Sequence, residues 1–272
     1  MEYGRNAKSP WEVALELKPK WSGLLGVDGK ELKIKAKPFT LLVAQDILTF
    51  DPVFFSLVEG ENLEECRRFF LIIRDVLKYP IKGIVSDLGR GRVFISLIEE
   101  IFPDIPHQAC VVHFSRYVDM SLPKSKKTPY YQENSLLRDS IKNILFAQSF
   151  NDAEEIFQRL ISMKSRFNAP YHKKVINSIR RHFHYPFLVR DNNITENLIK
   201  QLNRKLKQSE GFKSIENAYS FLKLWFIYYR FKPFTNSNEP YRRGKSPIGL
   251  ARGNINNLFL DWLAFSQKTR PN

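Results

Sequence analysis

Gly23-Leu24-Leu25-Gly26-Val27-Asp28-Gly29-Lys30 is the stretch on which the fold turns. A short apolar run closes on a carboxylate, and Asp-Gly is a favoured hairpin pair. The spacing predicts three short strands, Leu24–Asp28, Glu31–Lys37 and Thr40–Asp46, with Asp28-Gly29 as the first turn. A second run, Ile81-Lys-Gly-Ile-Val-Ser-Asp87, also ends in an acid, and Glu196 opens a helix within Asn192-Asn-Ile-Thr-Glu-Asn-Leu-Ile199. Two acids at strand ends and one on a later helix can meet at one edge of a sheet. Three carboxylates in one place repel each other unless cations bind them, which is the construction of a two-metal site for phosphodiester chemistry.

Each acid also has a local reading. Asp28 can serve only the turn, and Asp87, followed by Gly89 and Gly91, can cap a helix. Asn193-Ile-Thr-Glu196 has the spacing of a capping box. Together they fit hard-oxygen metal ligation better, because Asp and Glu suit Mg²⁺ and strand ends hold them rigidly.

The bulk numbers agree with a polyanionic substrate. Lys and Arg number 43 against 28 Asp and Glu in 272 residues, a net charge of +15. The excess gathers in Lys124-Ser-Lys-Lys127, His172–His184, Lys200–Lys207 and Arg242-Arg-Gly-Lys245. Nucleic acid is the favoured partner. A membrane partner is not expected, since no apolar run approaches bilayer length and no signal-peptide core opens the chain. With only Cys66 and Cys110, a disulfide framework is not expected either, and the chain reads as cytoplasmic and nucleoid-associated.

Further along, Asn62 is placed to cap a helix over 63–78. Lys82–Ser86 reads as a strand, Arg92–Phe102 as a helix and His107–His113 as a strand. Three antiparallel strands, helix, strand, helix, strand is an α/β order: a mixed sheet flanked by helices. Beyond residue 114 the pattern turns helical, over Leu136–Phe146, Asp152–Lys164, Tyr171–His182, Glu196–Gln208, a Ser214-capped segment over 215–231, and Leu258–Phe265. At about 100° per residue, Glu196, Lys200, Asn203 and Lys207 share one helix face, opposite Leu198, Leu202 and Leu206. Cys110-Val-Val-His113 has a metal-like spacing, but zinc needs two more ligands, and Cys66 and His107 are the only nearby candidates. The alternative is a buried pair bracing its strand.

In order along the chain, Leu25-Gly-Val-Asp-Gly-Lys30, Leu41-Leu-Val-Ala-Gln-Asp46, Pro80–Asp87, Phe102–His113, Asn193–Asn203 and Lys245-Ser-Pro-Ile-Gly-Leu-Ala251 resemble the DDE transposases of bacterial and archaeal insertion sequences, specifically the mutator-like group. The Cys-x-x-His element after Pro106-His-Gln108 is the most distinctive local mark, and Asp87-Leu88 departs from the usual Asp-Gly. The resemblance implies an RNase H-like core with an all-helical insertion before the last catalytic helix. It implies Asp28, Asp87 and Glu196 as catalytic metal ligands, with Cys110, His113 and Asn193 in support and Asp46 as a secondary candidate. The organisation expected is a 1–22 extension, a first core segment over 23–114, an insertion over 115–190 and closing core helices over 191–272. Such enzymes normally carry an N-terminal DNA-binding module, for which 22 residues are too few, so a catalytic-domain fragment, a decayed element copy or one product of a split reading frame is expected.

The function implied is metal-dependent DNA cleavage and strand transfer with two Mg²⁺ or Mn²⁺ ions. Lys200, Arg204 and Lys207 would contact phosphates, and a homodimer or larger assembly would pair the element ends. The alternatives are a DNA-binding relative without activity and a nuclease of the same fold that cuts without joining.

Overall fold

A computed structural model describes residues 2–87, 93–183, 188–207, 211–251 and 261–268. Its strands are β1 (Leu24–Ile34), β2 (Lys37–Asp46), β3 (Pro52–Val58), β4 (Gly83–Ser86) and β5 (His107–Ala109). They form one five-stranded sheet in the order β3-β2-β1-β4-β5. The first three are antiparallel, and β4 and β5 are parallel. The sheet is therefore mixed, in the strand order of the RNase H-like fold expected above.

The start of the sheet differs from the expected three short strands. Asp28-Gly29 is not a turn: Asp28 pairs with Val43 and Gly29 with Leu42 inside one long ladder. The turn lies at Lys35-Ala36, both in the left-handed region at φ 48° and 62°. Two such residues make a two-residue hairpin loop whose twist matches the strands. What overrides the Asp-Gly signal is the alternation that follows it, with Leu32 and Ile34 buried while Glu31 and Lys33 face out.

The chain divides into two compact units. The first comprises Met1–Lys82, Gly89–Ile105 and Asn193–Asn272. It holds α1 (Glu2–Arg5), α2 (Pro10–Leu17), α3 (Leu63–Leu71) and α4 (Val93–Ile101). Ser9 and Glu12 form a capping box at α2, a signal present in the sequence but not read from it. Asn62 caps α3 as expected, accepting from the Glu65 amide at 2.9 Å. The helix then widens into a π-turn over Ile72–Val76 rather than running on regularly.

The second unit, Gly83–Leu88 and Pro106–Asn192, holds α5 (Val111–Ser121), α6 (Tyr131–Leu145), α7 (Phe150–Ser162) and α8 (Pro170–Ser178). The expected strand His107–His113 is cut short, because β5 ends at Ala109 and α5 begins at Val111. The α-helical dihedrals that start there place His113 on a helix. The helical core of this unit runs from Val111 and Phe114 through Leu137, Ile141 and Ile144 to Val175, Ile176 and Phe183.

Three further elements of the first unit are α9 (Asn193–Leu206), α10 (Ile215–Phe231) and α11 (Pro247–Leu250). Ser214 caps α10 as expected, accepting from the Asn217 amide at 3.1 Å. The last described helix is α12 (Trp262–Ser266); the Leu258–Leu260 part of the expected tail helix, and Gln208 of the Glu196 helix, lie outside the described residues. Leu198, Ile199 and Leu202 of α9 and Leu222, Trp225, Phe226 and Tyr229 of α10 share a core with Leu32, Leu41, Val43 and Phe55 of the sheet. Burying a Leu or Phe side chain stabilises by roughly 1.5–3 kcal/mol, so this cluster fixes α9 on that sheet face.

Candidate active site and nucleic-acid interface

Asp28 lies mid-strand, not at a strand end, and is 7% exposed. Its Oδ1 accepts the Gly29 amide at 2.8 Å. Side chains alternate along a strand, so Asp28 shares a face with Leu32, four residues on, and with Val43 opposite. Leu32 and Val43 pack in the cluster formed with α9. Asp28 is therefore on the face that α9 covers.

Glu196 is half-buried in the first turn of α9. An acid there is favoured by the unpaired amides of the helix start. Lys200, one turn on, brings its Nζ to 3.5 Å from the Glu196 Oε2. The helix begins at Asn193, which is exposed and is its first residue rather than its cap. Lys200, Arg204 and Lys207 are all exposed, and so is Lys205, which the sequence reading left out.

Asp87 belongs to the second unit, half-buried directly after β4. Its neighbour Ser86 is tied down twice: the hydroxyl meets His107 Nε2 at 2.8 Å, and the carbonyl accepts the Cys110 amide at 2.8 Å. Cys110 is buried and stands at the N-cap of α5, with His113 in that helix's first turn. The Cys110 backbone amide thereby helps to brace β4. For zinc, the other named candidates are committed elsewhere: His107 holds Ser86, and Cys66 is buried in α3, where burial and the nearby Glu61 and Glu65 push its thiol up to about 12.

Asp46 is a correction. Both of its oxygens are occupied by protein donors. Oδ2 accepts from the Ser22 amide at 2.7 Å, the Ser22 hydroxyl at 2.8 Å and the Tyr79 hydroxyl at 2.6 Å. Oδ1 accepts from the Thr49 amide at 2.9 Å and hydroxyl at 2.8 Å. A fully buried carboxylate with five donors is a structural bolt at the end of β2.

Within the first unit, Asp28 and Glu196 each offer carboxylate oxygens, the donor type that suits Mg²⁺ or Mn²⁺.

Comparisons with known proteins bear on the family of the chain. Two curated relatives are the transposases for insertion sequence element IS256 in transposon Tn4001 from Staphylococcus aureus and from Enterococcus faecalis. Each is 25% identical over 162 residues, covering 57% of this chain and 39% of the relative. The matched stretch thus spans about two fifths of their length. Among solved structures, the HTLV-2 integrase catalytic core domain in complex with magnesium aligns in its trimeric form at 19% identity and TM-score 0.29, over 60% of this chain and 83% of that one. The dimeric form gives 17% identity and a TM-score of 0.27. The model of the family described as "Transposase, Mutator family" matches residues 59–225, more than half of the chain. This chain belongs to the Mutator family of transposases.

Proposed function

We propose that this chain is a transposase catalytic region that cleaves DNA strands and joins the freed ends to target DNA. The observation that carries the reading is the placement of Asp28 on the sheet face covered by the helix bearing Glu196, in a member of this family. Asp28, Asp87 and Glu196 would hold two Mg²⁺ or Mn²⁺ ions. Bound there, the ions would activate a water or a 3′-hydroxyl and stabilise the leaving 3′-oxygen.

In the first step the water oxygen bonds to phosphorus and the P–O3′ bond breaks. The products are a 5′-phosphate carrying the water oxygen and a 3′-hydroxyl, whose oxygen takes up the proton that the water gives up. In the second step that 3′-hydroxyl attacks a target phosphate, forming one phosphodiester as another breaks. Lys200, Arg204 and Lys207 would hold the backbone without reading sequence. Cys110, His113 and Asn193 would support the core, with residues 115–190 as a helical insertion. Among the described residues no helix is long and apolar enough to cross a membrane. A nucleoid-associated cytoplasmic enzyme, paired on its element ends as a dimer or larger, fits this chemistry.

The test is a strand-transfer assay with Mg²⁺ or Mn²⁺ and labelled duplex carrying the terminal repeats of the source element. Joined product that disappears in Asp87→Asn is expected. DNA binding without cleavage would instead identify an inactive relative, and cleavage without joining a nuclease.

A further inference from the structure

The basic run Arg242-Arg-Gly-Lys245 has no part in the site above. It lies in the loop between α10 and α11 of the first unit, and that loop is built rather than slack. The Phe234 amide donates to the Lys245 carbonyl at 3.0 Å, and the Gly244 amide donates to the Phe234 carbonyl at 2.9 Å. Gly244 turns the chain in the left-handed region at φ 74°. Arg243 Nε donates to the Ser237 carbonyl at 2.9 Å.

Phe50 anchors this loop. Its backbone is left-handed at φ 62°, which a non-glycine residue adopts only when its surroundings enforce it. Here the Phe50 amide donates to the Asp46 carbonyl at 2.8 Å, and Gln45 Nε2 donates to the Phe50 carbonyl at 2.7 Å. The ring so presented takes the Arg242 guanidinium 4.5 Å from its centroid, and the edge-to-face ring of Phe234 at 5.6 Å. Arg242 is thereby spent on anchoring. Lys232, Tyr241, Arg243 and Lys245 are left exposed around it, with Glu239 as the loop's one acid.

We propose that this loop is a second DNA-contacting surface, gripping the phosphate backbone of duplex DNA independently of sequence. Cations already held in place lose less freedom on binding than cations on a slack loop. A membrane fits less well. Tyr241, at 53% exposed, is the loop's one large exposed apolar side chain among the described residues, and a membrane-binding segment needs an apolar face. The proposal rests on the reading that the chain binds DNA.

Fluorescence anisotropy of the full chain on a labelled random-sequence duplex, titrated with salt, tests it. Replacing Lys232→Gln and Lys245→Gln together is expected to flatten the log–log salt dependence by about 1.8, at ~0.9 for each phosphate no longer neutralised. Phe50→Ala keeps every cation but frees the loop, and is expected to weaken binding by about two- to tenfold. The double variant decides the matter even if Phe50→Ala fails to fold. An unchanged slope and affinity in the double variant, with wild type binding normally, overturns the loop assignment alone. Wild type that ignores the duplex overturns both it and the DNA reading. Loss of binding to phosphatidylserine vesicles, with duplex binding intact, reassigns the surface to membrane and also overturns it.

Discussion

Asp28 stands directly opposite Val43 in the β1–β2 ladder, and the Val43 side chain is buried in the cluster that includes Leu198 and Leu202 of α9. One cross-strand pair thus joins the proposed ligand Asp28 to the packing. The same apolar contacts that seat α9 place a buried carboxylate beneath it. Under the function proposed above, a divalent cation would offset part of the cost of holding that carboxylate in the core.

Divalent metal should therefore stabilise the fold measurably. At a concentration a hundred times the dissociation constant the gain is about 2.7 kcal/mol, and for a chain of this size each kcal/mol raises Tm by roughly 2–4 °C. Thermal melts with and without Mn²⁺ should show that rise in wild type and little of it in Asp28→Asn or Glu196→Gln. An undiminished rise in either variant would remove that residue from the ligand set.

Arg230 and Asp51 form a second, purely structural pairing, at 2.8 Å with side chains 3% and 0% exposed. Trp21 Nε1 also donates to Asp51, at 2.8 Å. Burial pushes the Asp51 carboxyl from 3.8 up to about 6, although the Arg230 guanidinium and Trp21 pull it down. Arg230→Met strands the carboxylate and should cost about 3–5 kcal/mol. A raised folded pKa means the group's contribution is complete below 3.8 and lost as pH rises through about 6. The penalty of Arg230→Met, read from urea unfolding midpoints, should accordingly be larger at about pH 8 than at about pH 5. A smaller penalty at the higher pH would contradict this account.

His172 gives the second unit the opposite sensitivity. The ring is fully buried. Its Nδ1 accepts the Ala169 amide at 3.2 Å, and Nε2 meets the Asn134 Oδ1 at 2.7 Å. An Nδ1 that accepts a hydrogen bond belongs to a neutral imidazole, with the proton on Nε2. Burial holds the pKa below its usual 6.5. The stability it confers is present above 6.5 and lost as pH falls from there through the folded value. Melts of wild type should drop on acidification across that window, and His172→Gln should flatten the drop while lowering stability at neutral pH. A variant with the wild-type pH slope would show that His172 is not the group responsible.

Local patterns in the chain carried much of this. Asn62 and Ser214 announce helix starts because a cap needs only its own next turn. The spacing of Leu198, Leu202 and Leu206 against Glu196, Lys200, Asn203 and Lys207 reads directly as an inner and an outer face. The order of strand and helix signals sufficed for a mixed sheet. Asp28-Gly29 misled because a favoured turn pair states only what the pair tolerates, and the ladder partners Val43 and Leu42 outweigh it. His113 was misplaced because the Val-Val of its run favours a strand locally, while the structure starts α5 there.

By itself, then, the sequence determined which groups are available: three acids proposed as ligands, an excess of cations, and segments whose periods of 2 and 3.6 commit them to strand or helix. Only the tertiary structure decided how those groups are used. It set the register that turns Asp28 toward α9, and it engaged both oxygens of Asp46 with Ser22, Thr49 and Tyr79. It also paired Asp51 with an arginine far along the chain and pinned Arg242 over Phe50. Caps and periodicity depend on neighbours a few residues away, whereas register and buried pairing depend on which distant apolar surfaces close together and exclude water.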